Sequence, residues 1–141
     1  MLLPVKAHYA AVAMLELALK YQDPVPVSLR GIADEHEIPL PFLTQILQQL
    51  RGAQLVSSTR GALGGYRLCR SPSKINMAEI VQAVCPMATS SPHPSSNTRA
   101  NRSIAAIWDS LDVTIQKQLS DISLSELVEQ HQQLPDSMFY I

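Results

Sequence analysis

The sequence predicts a mainly α-helical chain that carries one small β-hairpin and a long amphipathic helix near its C-terminus. Three observations predict it. Apolar residues recur at three- and four-residue spacing through three N-terminal segments, glycines cluster at 61–65 between two short alternating stretches, and one apolar stripe runs from Ile104 to Ile122. At 141 residues the chain supports a single modest core with an appended helical element.

The first helix is expected over Val5–Tyr21, where Tyr9, Val12, Ala13, Leu15, Leu17 and Leu19 lie among alanines and no Gly or Pro follows Pro4. The DPVP run breaks it, because proline fixes its own backbone angle and removes a donor. Ser28 stands where an N-cap belongs, and Leu29, Ile32 and Ala33 carry a short second helix that ends near His36. Pro41 takes the first-turn position of a third helix, whose buried stripe is Leu43, Ile46, Leu47 and Leu50. The other face of that helix holds Phe42, Thr44, Gln45, Gln48, Gln49 and Arg51. It is amide-rich and free of acids. Amides and hydroxyls both donate and accept hydrogen bonds, which base edges in a major groove require, although a plain solvated face is the simpler reading.

Leu55–Thr59 and Tyr66–Arg70 read as two short strands, and the glycines at 61, 64 and 65 supply the tight turn between them. Two helices joined by a short turn and followed by a hairpin make a winged helix-turn-helix, in which the third helix enters the major groove and the wing approaches the backbone or minor groove. Arg60 at the thin glycine tip would meet phosphates. A hairpin whose Arg60 and Arg67 are merely solvated is the alternative. Ser73 is a candidate cap for a fourth helix over Ile75–Val84, with Ile80, Val81 and Val84 inward.

Residues 85–102 are dominated by Ser, Pro, Thr and Asn, too poor in large apolar groups to offset their ordering entropy, and read as a flexible loop of the sensor type. From Ser103, the residues Ile104, Ile107, Trp108, Leu111, Ile115 and Leu119 form a stripe that calls for a partner surface, most economically the same helix of a second copy. SLSE at 123–126 fits a capping box for a last helix. The expected organisation is therefore a winged helix-turn-helix domain over 1–84, the loop over 85–102, and a dimerisation helix plus C-terminal helix over 103–141.

Net charge is −1, but residues 1–75 carry eight Lys and Arg against five acids, and the remainder three against seven. The basic half suits phosphates. A hydrophobic fraction of 46% with no run near 18 apolar residues points to a soluble chain with no membrane partner. MLLPVKAHYA lacks the features of a secretory signal, so a cytoplasmic location is expected. Two cysteines, Cys69 and Cys85, make neither a disulfide scaffold nor a CxxC site.

From KAHYAAVAMLELAL through IADEHEIPLPFLTQILQQLRGAQLVSSTRGALGGYRL and AEIVQAV to IWDSL and SLSELV, the chain resembles the bacterial winged-helix transcriptional regulators of the IscR, NsrR and CymR type. The resemblance implies a homodimer that binds a double-stranded DNA operator. It assigns DNA reading to Pro41, Phe42, Thr44, Gln45 and Gln48, and the wing to Arg60, Gly61, Gly64 and Gly65; Ser28, Arg51 and Tyr66 complete the candidate surface. Thr44 stands where some members carry an acid, which implies a different operator sequence, and Lys6 would touch phosphate. IscR-like members hold a 2Fe–2S cluster through three loop cysteines and one further ligand. Between Pro86 and Arg102 this chain has no cysteine, so that site is absent and the cofactor is left unknown. A variant sensor site would draw on His8, Cys85 and His93. Redox, iron–sulfur or cysteine status is the implied kind of signal. The competing reading is a winged-helix module that regulates a metabolic enzyme as its protein partner. A Cys85–His93 catalytic pair lacks an orienting third group, so no enzyme is expected.

Overall fold

The computed structural model describes residues 3–62, 64–86 and 96–135. Helix α1, Val5–Leu19, stops two residues short of the expected Tyr21 because the chain turns at Lys20 and the Tyr21 N–H bonds to Ala18 O. Its buried face is small: Ala7, Ala10, Ala13 and Ala18 around Met14 and Leu17. That alanine surface lets other helices approach closely, and α1 becomes the element on which the rest is assembled.

Ser28 caps α2 (Leu29–His36), its hydroxyl accepting from the Gly31 N–H at 3.3 Å. The helix ends at Glu37 in the left-handed conformation, φ 54°, whose N–H returns to Ala33 O. Helix α3, Leu40–Gly52, follows directly and buries Leu43, Ile46, Leu47 and Leu50, the stripe expected from spacing. Strands β1 (Val56–Thr59) and β2 (Gly65–Leu68) pair antiparallel with Val56 opposite Leu68 and Thr59 opposite Gly65. A third piece of backbone joins this ribbon. Tyr66 donates to Val27 O at 2.8 Å and Val27 donates to Tyr66 O at 3.0 Å, which ties the wing to the residues that lead into α2.

The wing turn uses its glycines in two ways. Gly61 has φ 110°, a conformation that side chains resist. Gly65 has an ordinary φ, but a Cβ there would collide with the Val27 carbonyl, so the Val27–Tyr66 pairing requires a bare backbone at this point.

The cap of α4 (Met77–Val84) differs from expectation. Ser73 lies in a 3-10 turn over Pro72–Lys74, and the cap is Asn76, whose carboxamide oxygen accepts from the Glu79 N–H at 3.0 Å while the Glu79 carboxylate accepts from the Asn76 N–H at 3.1 Å. This reciprocal box satisfies two donors, where a lone serine hydroxyl satisfies one. Helix α5, Arg99–Asp121, starts four residues before Ser103, because Thr98 caps it by accepting from the Asn101 N–H. The expected loop is shortened accordingly at its C-terminal end; residues 87–95 and the tail 136–141 lie outside the described residues.

Helix α6, Leu124–Gln133, opens on the expected Ser123–Glu126 capping box. It does not stand apart with α5. Leu124 is fully buried and belongs to the same core cluster as the α1, α3 and α4 side chains, and α6 packs on α1. Around it Met77 N–H bonds Ile122 O and Leu124 N–H bonds Ile75 O. The core cluster therefore contains Leu124, a residue beyond position 103.

Candidate nucleic-acid interface

Helix α3 is held from below by its four buried aliphatic residues, which fixes what it turns outward. Pro41, Gln45 and Gln48 are exposed on that outer face. A glutamine amide carries two donors and an acceptor at a fixed spacing, the arrangement that meets adenine N6 and N7. Thr44 is half-buried and its hydroxyl donates to Leu40 O at 2.8 Å, so its remaining capacity is as an acceptor.

Two residues assigned to this surface lie off it. Phe42 turns toward α1, its ring edge-on to Tyr9 with centroids 5.7 Å apart, and it packs on the core. Residue 42 lies one turn before the buried Ile46, on the flank of the stripe, where its ring can reach Tyr9. Arg51 is exposed but borders a separate open depression beside Cys69 and Arg70, at the opposite end of α3 from the wing tip. Gln49 is half-buried and its Oε1 is enclosed without a hydrogen-bond partner among the described residues, so it too leaves the outer face.

The wing meets the helix-turn-helix at an open groove of about 420 Å³. Ser28 and Arg30 at the start of α2, Leu40 at the start of α3, and Arg60, Gly64 and Tyr66 from the wing line it. Two arginines and no carboxylate face this space, and the N-terminus of α2 adds the positive end of its dipole. Arg30 escaped the sequence reasoning. The signal was present in a basic residue directly inside an N-cap, at the helix end that favours anions. Tyr66 is half-buried; its backbone holds the wing, and the residue borders the groove. Arg67, next along the strand, points the other way, toward Leu17, Tyr21 and Val25.

Helix α5 buries none of its residues. Ile104, Ile107, Trp108, Leu111 and Ile115 are all exposed, with Trp108 at 52%, and Leu119 is half-buried. Of the sensor candidates, His8 is exposed on α1 beside Tyr9, Cys85 is half-buried at the end of α4 against the core, and His93 lies outside the described residues.

Residues 3–130 of the chain fit the model for Rrf2, described as an iron-dependent transcriptional regulator. The chain belongs to the Rrf2 family. It is 39% identical over 132 residues to the HTH-type transcriptional regulator IscR of Photorhabdus laumondii, covering 92% of this chain and 80% of that protein. Among solved structures, CymR, the global cysteine regulator of B. subtilis, superposes with a TM-score of 0.76 at 28% identity, covering 92% of this chain and 98% of that one. The T. potens IscR structure gives a TM-score of 0.76 at 29% identity over 100% of this chain and 97% of its own. As an Rrf2 protein the chain is a DNA-binding transcriptional regulator of the winged helix-turn-helix class, not an enzyme. Family membership favours this over the reading as a module that regulates a metabolic enzyme. No helix among the described residues is long and apolar enough to cross a membrane.

The donor set does not fit a 2Fe–2S cluster held by three loop thiolates. The chain has two cysteines, and Cys69 follows the second wing strand, which leaves Cys85 as the one thiol beside the 86–102 segment.

Proposed function

We propose that this Rrf2 protein works in the cytoplasm as a homodimer that reads a two-fold operator, each protomer laying α3 in a major groove and its wing on the flanking backbone. Gln45 and Gln48 read base edges. Ser28, Arg30 and Arg60 hold phosphates, which sets register without carrying sequence information. The observation that carries the reading is the shared groove: the start of α3, the N-terminus of α2 and the Arg60 tip border one acid-free space, so a duplex seated on the glutamines brings its backbone to both arginines. The exposed stripe Ile104, Ile107, Trp108, Leu111 and Ile115 supports α5 as the dimer seam, since a row of large apolar side chains on one helix is stable in water when a second copy covers it.

The test is a gel shift on the region upstream of the protein's own gene, with wild type and with Gln45 and Arg60 both changed to Ala. Each good base contact is worth about 1–3 kcal/mol, and a lost phosphate contact lowers the salt slope by about one. The double variant should bind at least tenfold more weakly and respond less to salt. Equal retention of operator by the double variant, at equal folded content, refutes this surface.

A further inference from the structure

Where the end of α2 meets α1, three metal-ligating groups come together. His36 Nε2 lies 3.0 Å from Glu16 Oε1 and 3.9 Å from Glu35 Oε2, and one ligand atom from each of the three residues lies within 4.8 Å of the others. We propose that Glu16, Glu35 and His36 form a binding site for a divalent transition-metal ion, zinc foremost, that clamps the last turn of α2 onto α1.

The spacing suits the ion. Zinc holds nitrogen and oxygen ligands at about 2.0–2.2 Å, so two tetrahedral ligands stand roughly 3.3 Å apart. His36 Nε2 and Glu16 Oε1 are already at about that separation without rearrangement. Glu35 has farther to come and the freedom to do so, with its side chain 63% exposed against 13% for Glu16. On binding, the contact between His36 Nε2 and Glu16 Oε1 gives way to a bond from each atom to the ion.

Charge and space agree with this. Two carboxylates and a neutral imidazole offer two negative charges to a dication. Lys20, which borders the same depression, offsets one of them. That depression, about 200 Å³ and bounded by Glu16, Glu35 and Asp23, leaves room for the water that completes a site with three protein ligands. The imidazole selects zinc and its neighbours over magnesium and calcium, which prefer oxygen donors alone.

The location gives the ion a mechanical effect. Glu16 lies in α1, while Glu35 and His36 close α2, and the three residues after His36 lead into α3. A metal at this point fixes α2 against the central helix; on the proposed reading of DNA binding, it steadies the helix pair that carries Ser28 and Arg30.

Metal-stripped full-length protein titrated with Co²⁺ provides the test, with Zn²⁺ displacing it. Expected is one ion per chain, with visible d–d bands and no near-ultraviolet thiolate charge-transfer band. Glu35→Gln, a change at an exposed position, should lower the affinity at least tenfold, and His36→Ala at least as much; zinc should raise the melting temperature of wild type and not of the variants. Failure to bind, affinity unchanged in Glu35→Gln, or a thiolate band that vanishes in Cys85→Ser overturns the proposal, the first leaving a plain ion pair and the last moving the ion to the cysteine. None of these readouts involves DNA, so their failure leaves the operator-binding reading standing.

Discussion

Gly65→Ala should destabilise the protein while the chemically identical Gly52→Ala stabilises it. At Gly65 an added methyl collides with the Val27 carbonyl and lies 3.2 Å from the Pro26 carbonyl carbon, and these are backbone atoms that cannot rotate aside. Relief requires parting β2 from the backbone at Val27, which breaks the Tyr66–Val27 and Val27–Tyr66 hydrogen bonds of 2.8 and 3.0 Å. At about 0.5–1.5 kcal/mol net for each bond, the loss is about 1–3 kcal/mol. Alanine returns about 0.4–1 kcal/mol by restricting the unfolded chain, so the net cost is about 1–2 kcal/mol. At Gly52, the last residue of α3, an added Cβ meets nothing within 4 Å and φ is not positive, so the gain of about 0.4–1 kcal/mol stands alone. For a chain of this size about 3–4 °C accompanies each kcal/mol. Circular-dichroism melts at matched protein concentration should therefore show Gly65→Ala several degrees below wild type and Gly52→Ala a degree or more above it. Shifts of the same sign, or a Gly65→Ala protein that melts with wild type, would refute the argument that the wing is pinned through Val27.

Three further perturbations probe other parts of the fold. Leu124→Ala should cost about 2–5 kcal/mol in urea unfolding although it lies near the C-terminus, because it empties space inside the winged core. Asn76→Ala should cost about 0.5–2 kcal/mol by the same measurement, since the Glu79 N–H loses its cap while the Arg70–Glu79 pair at 3.1 Å is kept. If α5 is the proposed dimer seam, Ile107→Asp should raise the dissociation constant more than a hundredfold, about 3 kcal/mol, through an unpaired charge placed in it, and sedimentation that still gives a dimer would remove α5 from that role.

Much of this structure was legible in residue spacing, and the exceptions have physical causes. The α3 stripe at 43, 46, 47 and 50 was unambiguous because a period of 3.6 residues leaves one way to bury four aliphatic side chains. Phe42 was misassigned to the outer face for a related reason: a half-buried aromatic beside a stripe can lean either way, and Tyr9, distant in sequence, decides it. The start of α5 was placed late because the apolar stripe begins at Ile104, whereas the helix itself begins with a polar turn capped by Thr98. Apolar period reports the buried face and is silent about polar first turns. The choice of Asn76 over Ser73 as cap depends on a partner carboxylate three residues on, present in NMAE and lacking for Ser73. Leu124 in the core was not legible at all, since local pattern does not say which distant helix a leucine meets.

That return of the chain after α5 bears on how a dimer would present its two reading heads. A helix with no buried residue could swing freely if it were attached at one end. Here α5 packs on α4, and past its C-terminal end the chain is bonded back to the start of α4: Ile122 O accepts from Met77 N–H, Leu124 N–H donates to Ile75 O, and Ser123 bridges Asn76. Leu124 then anchors that junction in the same core that supports α3. In the proposed dimer, pairing two α5 helices would therefore fix two winged cores as well as two helices, and the spacing of the α3 faces would become a property of the seam. On that proposal Leu124→Ala is diagnostic beyond stability: at temperatures where the variant stays folded and dimeric, loosening the junction should weaken operator binding although the proposed contacts of Gln45 and Arg60 are left in place.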